Sequence, residues 1–108
     1  SKHGRFEGRV TDGPWLHRLP GGALIMLWST FNAEGAYCVA RARSAGGGLA
    51  GPWTHAPAPF FEDDGGHPML FRTFDGELML SIHHPNKGKR ERARFIPVTE
   101  EQLETGTL

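Results

Sequence analysis

Three clusters of carboxylates and imidazoles stand beside turns in this chain. Asp12 precedes Gly13-Pro14-Trp15, Glu62-Asp63-Asp64 runs into Gly65-Gly66-His67-Pro68, and His83-His84 leads into Pro85-Asn86. Carboxylates and imidazoles are the side chains that transfer protons near neutral pH. They also hold cations, yet calcium takes oxygen ligands, so a lone imidazole such as His67 is a poor primary ligand. Adjacent residues of a strand point to opposite faces, so His83 and His84 do not converge on one ion. Asp before Gly-Pro is also a common turn residue, and most acidic runs such as 62–64 are solvated. Trp15, Trp28 and Trp53 are flat apolar surfaces on which a ring-shaped ligand can stack, though a Trp in an apolar strand is more often core. Trp28 lies within the apolar run 24–28 and is expected to pack. Trp53 is expected to hold an outer strand to its sheet. Trp15 follows the Gly13-Pro14 turn and is the Trp best placed to face a ligand. Cys38 is mid-strand beside Val39 with no Cys-His-Asn arrangement, which describes a packed thiol and not a nucleophile.

The elements that position these residues are strands. The chain has 108 residues, room for one small domain. Gly and Pro are abundant, 15 and 8 residues, but they punctuate apolar runs, which describes turn-rich β structure and not disorder. The pattern predicts strands over 15–19, 23–31, 36–43, 52–55, 67–74, 77–84 and 94–98, joined by Gly-containing turns. Within 36–43, Val39 and Arg41 alternate with Ala40 and Ala42 in the manner of a half-buried strand. Thr99 with Gln102 three residues on forms a capping box for a short terminal helix, in a tail at 99–108.

Charge excludes several classes of partner. Twelve Lys and Arg balance twelve Asp and Glu, and six His are neutral. Nucleic acid and anionic membrane are recruited by a basic excess, which is absent. The basic loop Lys87, Lys89, Arg90, Arg92 and Arg94 has no interleaved aromatics and is expected to be solvated. One Cys excludes an intramolecular disulfide framework and leaves the compartment open. No apolar run reaches the ~18–20 residues of a membrane span, and no signal-peptide apolar region is present. Ser1 stands where a start Met would, as expected of a processed or partial chain.

The two hairpins repeat. Pro14, Leu16, Arg18, Gly22 and Leu24 recur as Pro68, Leu70, Arg72, Gly76 and Leu78, every pair at the same offset along the chain. Repeats of a few antiparallel strands, at periods of ~40–50 residues, mark propeller blades. The expected fold is therefore all-β: about two antiparallel β-propeller blades, over 10–55 and 64–98, in a single partial-propeller domain at 1–108 with a short C-terminal helix. A blade buries its faces on neighbours, and about three or more repeats are needed for stability. Two blades predict a missing partner, either further chain or further copies in a homo-oligomer or domain-swapped assembly.

The residues also carry a resemblance. Thr11-Asp12-Gly13-Pro14-Trp15-Leu16, the strand Leu24-Ile25-Met26-Leu27-Trp28-Ser29, Gly51-Pro52-Trp53 and Asp64-Gly65-Gly66-His67-Pro68-Met69-Leu70-Phe71 stand in an order and spacing similar to the C-terminal third of family 43 glycoside hydrolases. These are five-bladed β-propellers that include β-xylosidases, arabinofuranosidases and arabinanases. The resemblance implies the last two blades of an inverting hydrolase acting on O-glycosyl bonds of pentose-containing glycans, and a carbohydrate substrate. It places Asp12 at the general-acid position before Gly-Pro, where most relatives have Glu. The general base and a second Asp belong to earlier blades, which implies that this chain alone is catalytically incomplete. It puts His67 near the propeller axis, where some members hold calcium or another cation largely through water; no other cofactor is implied. His83 and Trp15 are then expected beside the sugar. The alternative is a catalytically silent, self-assembling module that binds sugar or another partner.

Overall fold

The computed structural model describes residues 12–85 and 92–108. Seven strands and one helix lie within them: β1 (Asp12–Arg18), β2 (Leu24–Phe31), β3 (Tyr37–Ser44), β4 (Trp53–His55), β5 (Gly66–Arg72), β6 (Leu78–His84), β7 (Arg92–Pro97) and α1 (Glu100–Thr105). β1 to β4 form one antiparallel sheet in sequence order, and β5 to β7 a second. The expected all-β, antiparallel, blade-like fold with a short terminal helix is the fold observed. No helix among the described residues is long and apolar enough to cross a membrane.

The repeat is visible in atomic detail. In each leading hairpin an arginine closes the turn on a glycine carbonyl: Arg18 Nη1 donates to Gly22 O at 2.9 Å, and Arg72 Nη1 to Gly76 O at 3.2 Å. The turn hydrogen bonds match as well, Gly22 to Leu19 and Gly76 to Thr73. The five sequence identities are thus the turn, its arginine clamp and the strand positions that flank it.

The sheets stack face to face, with β5 against β1, β2 and β3. The thin dimension of the molecule, 19 Å against 37 and 35 Å, is that of two layers at the ~10 Å sheet spacing. Ile25, Leu27 and Val39 of the first sheet share one core with Leu70, Leu80 and Ile82 of the second. Leu103 of α1 and Phe60 and Phe61 of the segment after β4 complete it. That segment runs back along β3, where the Val39 N–H donates to Phe61 O and the Phe60 N–H to Val39 O, both at 2.7 Å.

β3 departs from the half-buried pattern, because both of its faces are covered. Cys38, Val39, Ala40, Arg41 and Ala42 are all buried. Arg41 is accommodated because α1 ends over it. Its Nε donates to Leu103 O at 2.9 Å and its Nη2 to Glu104 O. The carbonyls left open at a helix C-terminus are suited to a cation. Burial lowers the Arg41 pKa, while Glu104 opposes that shift. α1 also ties the two sheets together. Glu100 accepts from His17 of β1 at 2.9 Å and from Arg72 of β5. The capping box is formed as expected, with Gln102 N–H on Thr99 Oγ1 at 3.0 Å and Thr99 N–H on Gln102 Oε1 at 2.8 Å.

Two outcomes are expected. Burial, reinforced by Glu62, pushes the Cys38 thiol up to about 12. Thiol reagents at pH 8 should leave the native protein unlabelled and label it fully once unfolded, since only the thiolate reacts. Burial raises the Glu100 pKa, but the hydrogen bonds from His17 and Arg72 outweigh it and hold the carboxyl below 4.5. A lowered folded-state pKa stabilises above the unfolded value, and that stabilisation is lost as pH falls through the folded one. Glu100→Gln should therefore cost about 0.5–1 kcal/mol at pH 7, the scale of a part-exposed pair. Urea midpoints of variant and parent should converge toward pH 3.

Candidate functional site

β1 and β5 begin with the same irregularity. Pairing with β2 shifts between Asp12 and Trp15, and pairing with β6 shifts between Gly66 and Met69. Each bulge holds a left-handed residue at its equivalent position, Gly13 at φ 55° and His67 at φ 56°. Glycine takes this conformation freely, whereas an L side chain adds roughly 1–2 kcal/mol there. Bulges re-aim a side chain, and backbone strain concentrates where a side chain is wanted.

His67 is held from three sides. Its N–H donates to Ser29 Oγ of β2 at 2.9 Å. Its ring stacks nearly parallel on His83 of β6, with centroids 5.3 Å apart and planes at 11°. Gly13 of β1 lies against it: a Cβ added there would sit 3.1 Å from His67 Nδ1. Gly66, the residue before it, lets Tyr37 of β3 lie close against β5, since a Cβ there would come 2.5 Å from the Tyr37 ring. Both imidazoles remain exposed. Asp12 pairs with Ser29 across β1 and β2, so its backbone stands one strand from this cluster. The Asp12 carboxyl lies outside the described residues.

The predicted site residues thus divide. His67 and His83 come together, and the Asp12 backbone joins their end of the sheets. Trp15 is half-buried on β1 and packs against the core. His84 leaves the cluster, as strand alternation requires. It packs edge-on against Phe61 at 6.0 Å, and its Nε2 lies 3.4 Å from Asp63 Oδ2. Glu62 accepts from Asn32 Nδ2 at 2.9 Å, so this part of the acidic turn braces a loop. Trp28 is not enclosed. With Pro14, Met26, Ala42, Trp53 and His55 it lines an open concavity of about 380 Å³ on the far face of the first sheet. Of the basic loop, residues 86–91 lie outside the described residues, and Arg94 stacks over Phe61 at 5.9 Å.

Ser29 and Gly13 escaped sequence reasoning. The repeat carried the signal, because the offset that takes Pro14 to Pro68 also takes Gly13 to His67 and Ser29 to His83. The site is built from two equivalent pairs of positions. Among the described residues no three His, Cys, Asp or Glu side chains come together to hold a metal. His67 offers nitrogen where calcium takes oxygen.

No protein-family model matches the chain, and no curated protein matches it. Among solved structures it is similar to the endo-arabinase from Bacteroides thetaiotaomicron VPI-5482, at 44% sequence identity and a TM-score of 0.79. The match covers 83% of this chain and 32% of the endo-arabinase, so the chain spans about a third of that enzyme's length. An arabinase is one of the activities that the family 43 resemblance implies, and the resemblance holds in three dimensions for the part of the enzyme that is matched.

Gly13→Ala tests the seat of His67. The variant should lose about 1–2 kcal/mol from left-handed strain, and its methyl group should move the His67 ring and shift its Hε1 resonance. Gly22→Ala is the control. It is also left-handed, at φ 102°, but faces open space. It should lose stability and leave the His67 resonance in place.

Proposed function

We propose that the chain is the C-terminal part of a glycoside hydrolase that cleaves O-glycosyl bonds of pentose-containing glycans, arabinan in the first place, with inversion. The observation that carries it is the likeness to the endo-arabinase, which extends over most of this chain. The left-handed His67, held in place by Gly13, Ser29 and His83, supports a site at that end of the sheets.

Inversion requires a protonated acid on the leaving oxygen and a carboxylate that activates water on the opposite face, ~6.5–9.5 Å away. Asp12 is the acid of this proposal. The base and the Asp that tunes the acid come from outside this chain. An acid in this role must stay protonated at working pH, which burial or a neighbouring carboxylate brings about. Asp is one methylene shorter than the Glu of most relatives, so the glycosidic oxygen must sit correspondingly deeper. His67 and His83 present two exposed rings with N–H donors and acceptors, suited to sugar hydroxyls. Trp15, only half-buried on β1, offers a flat apolar surface on which a sugar ring can stack.

The 108-residue chain alone should hydrolyse arabinan and aryl arabinofuranosides negligibly. Turnover of about 1 s⁻¹ or more, abolished by Asp12→Asn, would show instead that the chain builds its own complete site. In a longer polypeptide carrying this segment, Asp12→Asn should slow natural arabinan by about 10²–10⁴, the scale of acid–base assistance. Activated aryl glycosides need little protonation and should lose much less. Equal, small losses in kcat/KM on both substrates would remove Asp12 from the acid role.

A further inference from the structure

The bulge at the head of β5 sends one backbone donor out of its own sheet. β5 pairs with β6 at Gly66 and resumes at Met69, and the left-handed His67 lies between. Its N–H turns to the other sheet and donates to Ser29 Oγ at 2.9 Å. Ser29 is 0% exposed. It follows Ile25 and Leu27 on the core face of β2, where another aliphatic residue would continue the packing. A buried hydroxyl is costly unless it is hydrogen-bonded, and a backbone N–H that leaves its ladder needs a partner. Here each answers the other. The main chain of Ser29 also pairs with Asp12 of β1. One residue therefore holds both backbone positions of the proposed site, Asp12 through strand pairing and His67 through its side chain.

We propose that Ser29 is a positioning residue for the glycosidase reaction, its buried hydroxyl setting where the His67 ring stands relative to Asp12. The proposal rests on the hydrolase reading above and adds a residue to it. Ser29 is sealed from solvent, so it reaches no sugar and acts through His67. A left-handed L residue persists only where its surroundings hold it. Gly13 leaves room for the ring and His83 stacks on it, but neither contact fixes the backbone. The hydrogen bond to Ser29 does, and it spans the two sheets. Without it the bulge is free to relax toward extended backbone, which carries the ring off its seat. A sugar hydroxyl held by that ring then shifts with respect to the acid, and a displacement of order 1 Å is enough to cost ~10²-fold in rate. The equivalent of Ser29 in the second sheet is His83, so the strand itself does not require a hydroxyl at this position. The hydroxyl stands in the copy that receives the His67 N–H.

Ser29→Ala removes one oxygen atom and with it the acceptor, whereas Ser29→Thr keeps the hydroxyl. Leu78→Ala, in the core at the far end of β6, is the control for lost stability alone. In the 108-residue chain, protection of Cys38 from thiol reagents marks a folded variant. There Ser29→Ala should speed exchange of the His67 amide by about 10-fold and shift the His67 Hε1 resonance. Ser29→Thr should do neither, and Leu78→Ala should leave the resonance in place. In a longer polypeptide carrying this segment, Ser29→Ala should lower kcat on arabinan by about 10–10²-fold. KM should change far less, since the hydroxyl contributes orientation and no direct binding. Ser29→Thr should restore kcat, and Leu78→Ala should lose stability with kcat retained. If Ser29→Thr does not fold, the comparison of Ser29→Ala with Leu78→Ala decides alone. An unmoved His67 in folded Ser29→Ala, or a kcat equal to that of the parent, would overturn the proposal while the hydrolase reading stands. No hydrolysis of arabinan by the parent polypeptide would instead overturn the hydrolase reading, and the role of Ser29 in catalysis with it.

Discussion

The burial of Ile25, Leu27 and Val39 against Leu70, Leu80 and Ile82 is the contact on which everything else in this fold depends. Each fully buried aliphatic side chain contributes about 1.5–3 kcal/mol. The ion pairs that also bridge the sheets, Glu100 with His17 and Arg72, contribute less, since exposed pairs give about 0–1 kcal/mol. Apolar packing therefore decides that the sheets stack, and α1 secures their relative placement. With the stack in place, the leading strands β1 and β5 lie side by side, and their two bulges meet. The His67 site is a consequence of that packing and has no existence in either sheet alone.

The site follows from one operation, the shift along the chain that takes Pro14 to Pro68. Gly13 and His67 share a backbone conformation, but the first is a bare seat and the second carries the ring that fills it. Ser29 and His83 share a strand position, and both reach His67. A repeat whose copies had stayed identical would have put the same side chain in both places. The divergence at these two positions creates a polar, ring-lined cluster out of structural equivalents. The strain retained at His67, where glycine would be relaxed, accords with a ring needed for contact with a ligand.

Much of this was legible from residue order. The Gly turns, the alternating runs and the Thr99–Gln102 capping box marked the elements, because their signals are local. The constant offset between the two hairpins marked two similar units. Arg41 misled, since the alternation of Val39 and Arg41 with Ala40 and Ala42 suggested a half-buried strand. Its burial depends on helix carbonyls that arrive from 62 residues away. Phe60 and Phe61 join the core through a pairing with Val39 outside any regular strand, which no local pattern announces. Trp28 was expected to be enclosed because it sits in an apolar run, yet it faces the open concavity. The apolar run reported a buried environment correctly for Ile25 and Leu27. For Trp28 the covering surface is not part of the described fold. Asp12 entered only through the family resemblance, since an Asp before Gly-Pro is by itself an ordinary turn residue.

The most direct test of this account is the contact that only the stacked sheets can make. A Cβ added to Gly13 would lie 3.2 Å from His67 Cε1. A nuclear Overhauser spectrum of the protein should therefore contain a strong cross-peak between the Gly13 Hα protons and His67 Hε1. The same cross-peak should weaken in Leu27→Ala, which loosens the inter-sheet core without touching either residue. Absence of the cross-peak in the folded protein would mean that the two sheets do not stack as described, and the site assembled at their junction would fall with them.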